Sequence, residues 1–176
     1  MKTKKYFILI YLTLLIIYSC NNKQNTDNNK KYVKDNESLE RINETLVNRD
    51  AEVIKNFINR NRWDMSVTEA GLYYMIYKKG NGPKVEEGKT VIINYEISLM
   101  DGTVCYKSDS SHPKSFVVGK GNVESGLEQG ILLMRKGDKA KFILPPHLAY
   151  GLLGDENKIP PRSVIVYDVE VLDICN

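Results

Sequence analysis

Strict alternation of apolar and polar side chains along two long stretches constrains this chain more than any other feature. Val91, Ile93, Tyr95, Ile97 and Leu99 alternate with Asn94, Glu96 and Ser98; Ile165, Tyr167, Val169 and Val171 alternate with Asp168 and Glu170. Successive side chains of a strand point to opposite faces, so each stretch must bury one face and leave the other in water. Shorter pieces repeat the pattern. Leu72, Tyr74 and Ile76 share a face ahead of Gly80-Asn81-Gly82-Pro83, and Ala140, Phe142 and Leu144 share one after Lys136-Gly137-Asp138. Asp101-Gly102 is a hairpin turn that sends Thr103 to Tyr106 back along Val91 to Leu99. Phe116 to Val118 reads as a short strand, and Val123 to Met134 as the one helical piece between strands. Hairpin-linked strands with one short helix predict an α+β fold over 64–176, an antiparallel sheet wrapped around a central helix.

The N-terminal residues follow a different logic. Lys2, Lys4 and Lys5 precede about thirteen mostly apolar residues, Tyr6 to Tyr18, with Ser19-Cys20 next. A membrane-crossing helix needs roughly twenty residues. A basic flank, a short apolar core and a small residue before the cut instead make 1–19 a signal peptide. Ile17-Tyr18-Ser19-Cys20 resembles a bacterial lipoprotein box, which implies lipidation of Cys20 and a bilayer partner in the cell envelope, at the periplasm or outer membrane. Residues 20–36 are Asn- and Lys-rich and are expected to form a flexible tether. Residues 37–63 carry Leu39, Ile42, Leu46, Val53, Phe57 and Ile58 at helical intervals and predict an amphipathic helical extension. A break is expected near Asn48-Arg49-Asp50, with Asp50 as a cap. The apolar stripe of this helix either packs on the domain or serves as a dimerisation or partner-binding arm, and the oligomeric state is open. Lys and Arg total 25 against 22 Asp and Glu, without an arginine-rich stripe, so nucleic acid is not an expected partner.

The order of motifs after residue 71 is more specific than any one of them. Val91 to Tyr95 and the Asp101-Gly102 hairpin are followed by V-E-S-G-L-E-Q-G from Val123 and M-R-K-G-D-K-A from Met134. Ala149-Tyr150-Gly151, Ile159-Pro160-Pro161 and V-Y-D-V-E-V from Val166 complete the series. In this order they resemble the FK506-binding protein (FKBP) class of peptidyl-prolyl cis-trans isomerases. The resemblance implies an apolar cup lined by Tyr95, Val123, Leu127, Tyr150, Ile159 and Tyr167, with the Tyr150 hydroxyl donating to the substrate amide carbonyl. It implies no cofactor, and proline-containing exported polypeptides as partners. Within the class, the helical N-terminus and A-Y-G-L-L-G-D-E-N-K-I look most like Bacteroidetes lipoproteins linked to gliding motility.

Several positions depart from the class. Leu127 stands where many members have a tryptophan floor, Lys114 where they have a rim aromatic, and Lys158 where they have a branched residue. Cys105-Tyr106 replaces a phenylalanine followed by an aspartate. A one-residue shift along a strand reverses the face, so Tyr106 can supply the missing ring only if a bulge re-aims it. Glu124 replaces a branched apolar residue and is expected to serve through its backbone N–H. The implied fold sets Cys105 at the cup and Cys175 at the far end of the last strand, too far apart for a disulfide. Two free thiols are therefore expected. Gly126 to Gly130 lacks the lysine and hydroxyl of a phosphate loop. No Cys/His spacing suggests zinc, and no Ser-His-Asp set suggests a hydrolase.

Overall fold

The computed structural model describes residues 23–108 and 111–175. The expected signal peptide, 1–19, and Cys20 lie outside the described residues. Two units divide the chain, Met1–Leu46 and Val47–Asn176.

Seven antiparallel strands form the sheet: β1 Ser66–Val67, β2 Tyr73–Lys78, β3 Thr90–Leu99, β4 Val104–Lys107, β5 Lys114–Val117, β6 Lys139–Leu144 and β7 Ile165–Cys175. Their order is β1-β2-β6-β7-β3-β4, and β5 also pairs with β3. The two alternating stretches are the central partners, β3 and β7. β3 has one side to β7 and divides the other, its first half taking β5 and its second half β4. The expected faces are observed. Val91, Ile93, Ile97, Phe142, Leu144, Ile165, Tyr167, Val169 and Val171 are buried in one core with Leu127, Ile131 and Met134. A register shift opposite Ile92 and Ile93 leaves Leu172 unpaired in β7. Beyond it Ile174 packs against the core and Asp173 pairs with Lys136 at 2.6 Å.

The helix between strands, α2, runs Ser125–Ile131 and is shorter than the expected 123–134; α1 is the N-terminal helix, Lys23–Asn61. Glu124 is extended, at φ −57° and ψ 140°, so α2 starts after it. At the other end Leu133 N–H reaches Gly130 and Met134 N–H reaches Ile131, tight turns that close the helix early. Gly126, Leu127, Gly130 and Ile131 are its buried residues, one face laid against β6.

Two expectations about the N-terminal region are corrected. α1 begins at Lys23, within the span expected to be a tether, and is not broken at Asn48-Arg49-Asp50. No proline or glycine occurs between Lys23 and Asn61 to interrupt its hydrogen-bond ladder. Asp50 caps nothing. Its carboxylate accepts two hydrogen bonds from Arg162 Nη2, at 2.9 and 3.1 Å. In the unit from Val47 onward, Ile54, Phe57 and Ile58 cover the outer sheet face with Trp63 and Met65, over Tyr73, Ile143 and Val166. The packing reading thus holds for this part of the extension, with Phe57 and Trp63 meeting edge to face at 5.5 Å. In the unit up to Leu46, Leu39 and Ile42 are exposed. Among the described residues, no helix is long and apolar enough to cross a membrane.

Candidate functional site: a tyrosine cup around Glu124

Three tyrosines from three segments converge in the Val47–Asn176 unit. Tyr95 is on β3 and Tyr167 on β7, and the register pairs Tyr95 with Val169 and Ile97 with Tyr167. The two are therefore diagonal neighbours on one sheet face. Their ring centroids lie 6.1 Å apart with planes tilted by 45°. Tyr150 follows a single 3₁₀ turn, Pro146–Leu148. Gly151 closes that turn with its N–H on Pro146 O at 2.8 Å, and its φ of +65° suits glycine. Leu127 and Ile159 are fully buried beside them, while Val123, Tyr106 and Tyr150 pack half-buried against the same core.

The carboxylate of Glu124 lies among these rings. Its Oε2 accepts the Tyr167 hydroxyl at 2.9 Å. The pKa of Tyr167 is pushed well up, first by burial and then by the negative charge of Glu124. Tyr150 is also pushed well up, by burial first and next by the nearby carboxylate of Glu124. Burial, then Glu124, raises Tyr95 too. All three phenols consequently stay protonated donors at any physiological pH. The side chain of Glu124 also lies in the cup, beyond the backbone N–H through which it was expected to serve. An extended residue ahead of α2 points its side chain toward β7 instead of along the helix surface.

The altered Cys105-Tyr106 pair is accommodated by the bulge that its sequence requires. Ile97 faces Tyr106 and Ser98 faces Val104, so Cys105 is the extra residue in β4. A bulge re-aims the strand, and both side chains reach the core, Cys105 buried and Tyr106 partly so. The Tyr106 hydroxyl donates to Asp155 Oδ2. The other oxygen of Asp155 accepts Ile159 N–H at 2.7 Å and Asn157 N–H at 3.0 Å. Asp155 returns its own N–H to Ile159 O at 3.1 Å. Ile159 is therefore fixed through Asp155 as well as by the proline after it. Asp155 was absent from the expected site, although D-E-N-K is an Asx-turn composition and could have been noticed.

Around this centre, Lys114 Nζ lies 5.5 Å from the Tyr95 ring and Lys158 Nζ 5.2 Å from the Tyr106 ring. Leu152 and Leu153 are exposed on the loop between Tyr150 and Asp155. Cys105 and Cys175 are both free thiols, as expected; burial is the main cause that pushes Cys105 up.

Comparison with known proteins agrees with this architecture. The family model for FKBP-type peptidyl-prolyl cis-trans isomerase matches residues 82–172, about half of the chain. The chain belongs to that family. It is 36% identical over 112 residues to a probable FKBP-type peptidyl-prolyl cis-trans isomerase of Haemophilus influenzae, covering 63% of this chain and 46% of that protein. It is 43% identical over 94 residues to FK506-binding protein 2 of Yarrowia lipolytica, covering 53% and 65%. The chain thus spans less than two thirds of the length of these curated relatives. Among solved structures, FkpA from Escherichia coli aligns with a TM-score of 0.64 at 25% identity, over 98% of this chain and 82% of that one. AtFKBP13 aligns with a TM-score of 0.60 at 33% identity, over 62% and 98%.

Proposed function

We propose that this chain is a peptidyl-prolyl cis-trans isomerase that rotates X-Pro bonds in exported proteins while lipidated Cys20 holds it at the cell envelope. The convergence of Tyr95, Tyr150 and Tyr167 over buried Leu127 and Ile159 carries the reading. A peptide bond resists rotation by about 18–20 kcal/mol because twisting destroys amide resonance. No nucleophile or metal is needed to speed it. The catalyst must only bind the twisted amide better than the planar one. Twisting leaves a less polar carbonyl, which an apolar, water-poor surface of rings favours. Each tenfold in rate requires about 1.4 kcal/mol of that preference. Tyr150 is the donor assigned to the carbonyl of the residue before proline, and its elevated pKa keeps the proton available.

Catalysed exchange on an Ala-Leu-Pro-Phe peptide is the expected result, and Tyr150→Phe should reduce kcat/KM severalfold. A wild-type rate equal to that of buffer removes the enzyme. One observation favours a second reading, a proline-binding module without turnover. The Glu124 carboxylate stands in the cup on the Tyr167 hydroxyl, where it competes with a peptide carbonyl for phenol donors. Peptide binding without faster exchange selects that module.

The anchoring proposal rests on Lys2, Lys4 and Lys5, the short apolar run and Ser19-Cys20. Acyl chains bury about 0.8 kcal/mol per methylene, so more than one chain holds a protein stably. Cys20→Ala should abolish incorporation of labelled fatty acid; retained labelling overturns the lipoprotein. The A-Y-G-L-L-G-D-E-N-K-I stretch supports membership in the gliding-motility lipoproteins, which would make a surface motility machine the source of clients.

A further inference from the structure

We infer that Glu124 is a specificity-determining residue, selecting X-Pro segments in which the residue before proline is lysine or arginine. The inference rests on the isomerase reading, because it assumes that Tyr150 donates to the substrate carbonyl. It begins from an electrostatic imbalance. The Glu124 carboxylate is half-buried, accepts the neutral hydroxyl of Tyr167 at 2.9 Å and acts electrostatically on Tyr150. Among the described residues, no ion pair joins it to a lysine or arginine. The nearby rim cations, Lys114 and Lys158, lie over the rings of Tyr95 and Tyr106.

Tyr150 has one proton to donate. A peptide carbonyl entering the cup must compete for it with a carboxylate, and bonds to charged acceptors are about twice as strong as neutral ones. A neutral peptide therefore shields a half-buried charge from water and offers nothing in return. Glu124 then keeps only the neutral Tyr167 hydroxyl, and a desolvated charge without an opposite charge is the unfavourable case. A peptide with a cationic side chain before proline resolves it. The carbonyl that takes Tyr150 belongs to that same residue, so its ammonium or guanidinium starts close to the shielded carboxylate. The surroundings suit a cation as well. Tyrosine ring faces attract ammonium and guanidinium groups, and Lys114 over Tyr95 displays that attraction within the chain. An acidic residue before proline meets repulsion from Glu124 and should be the worst substrate.

The test uses the full chain and three peptides, Ala-Lys-Pro-Phe, Ala-Leu-Pro-Phe and Ala-Glu-Pro-Phe, followed by exchange NMR so that no coupling protease imposes its own preference. Wild type should rank them Lys, Leu, Glu in kcat/KM, with about tenfold between the ends at low salt. Glu124→Gln should compress that range to about twofold, the residue left by screened surface charge. Glu124→Ala should turn over the leucine peptide faster than wild type does, because the competitor for Tyr150 is gone. Equal wild-type rates overturn the inference, and so does a lysine preference that survives in Glu124→Gln. If no peptide is exchanged by any of these proteins, the isomerase reading has failed. Dissociation constants from amide shift titrations then decide the selectivity. The same ranking, lost in Glu124→Gln, sustains a charge-selective cup, and a flat ranking ends it.

Discussion

Alanine in place of Gly126 or Gly130 should destabilise the protein by about 2 kcal/mol at each site, even though both residues lie in a helix. Helix propensity alone predicts the opposite sign, since alanine is about 0.8–1.0 kcal/mol better than glycine in a helix interior. Packing reverses it. A Cβ on Gly126 would stand 2.5 Å from Leu144 Cγ and 2.9 Å from the Leu148 carbonyl oxygen. One on Gly130 would stand 2.7 Å from a ring carbon of Phe142. Leu144 and Phe142 are themselves fully buried on the inner face of β6, so neither can yield without disturbing the core. Overpacking of such a site costs typically 1–3 kcal/mol, and contacts this short belong at its upper end. The gain from propensity offsets only about a third of that cost. Urea unfolding of the two single variants measures the outcome. Stability equal to wild type in both would mean that α2 can back away from β6. Such freedom is incompatible with Leu127 as a fixed floor of the cup.

Those glycines also show what the sequence made legible and what it hid. Period-two alternation was sufficient to find β3, β6 and β7 and to assign their inward faces, because burying one sheet face is a strong, repeated constraint. Motif order then located Tyr95, Tyr150, Ile159 and Tyr167, and the structure brings them to one place. Helix ends were less legible. The helix expected over Val123 to Met134 is trimmed to seven residues by an extended Glu124 and by tight turns after Ile131. The polar stretch after Lys23 looked like a tether because composition reports the lack of a core. It does not report whether the backbone ladder is interrupted. Least legible was polar pairing across distance. Nothing local shows that Glu124 meets the Tyr167 hydroxyl of β7, or that Asp50 meets Arg162. The bulge at Cys105 was legible as a condition, since Tyr106 could be re-aimed only in that way. What Tyr106 holds once re-aimed, Asp155, was not.

Removing the Asp155 carboxylate should cost about ten- to a hundredfold in kcat/KM, more than the loss of the Tyr150 hydroxyl itself. Asp155 does not line the cup; it positions what does. One oxygen takes the N–H groups of Asn157 and Ile159, and the other takes the Tyr106 hydroxyl from β4. Without it, Ile159 is held only by the backbone restriction of Pro160 and by burial, and a displacement of about 1 Å in a positioning group suffices for a hundredfold loss. Asp155→Ala should therefore remain folded, with its melting transition lowered by only a few degrees, while turnover falls. Tyr106→Phe removes one of these bonds and should fall less. A pH titration separates this role from a general loss of the loop. Burial pushes the Asp155 carboxyl up, but hydrogen bonds from Tyr106 and from the N–H groups of Ile159, Asn157 and Lys158 outweigh it, so the pKa ends below its ordinary 3.8. A carboxyl depressed in the folded state contributes stability above its unfolded pKa and loses it as pH falls through the folded value. The Ile159 amide resonance should accordingly stay constant from neutral pH down to the ordinary carboxylate range and move only below it. In Tyr106→Phe the same midpoint should rise, because one of the bonds that favour the charged form is gone. A wild-type midpoint above 3.8 would show that Asp155 is not gripped by these groups in solution. Ile159 would then lose its support, and the cup its fixed rim.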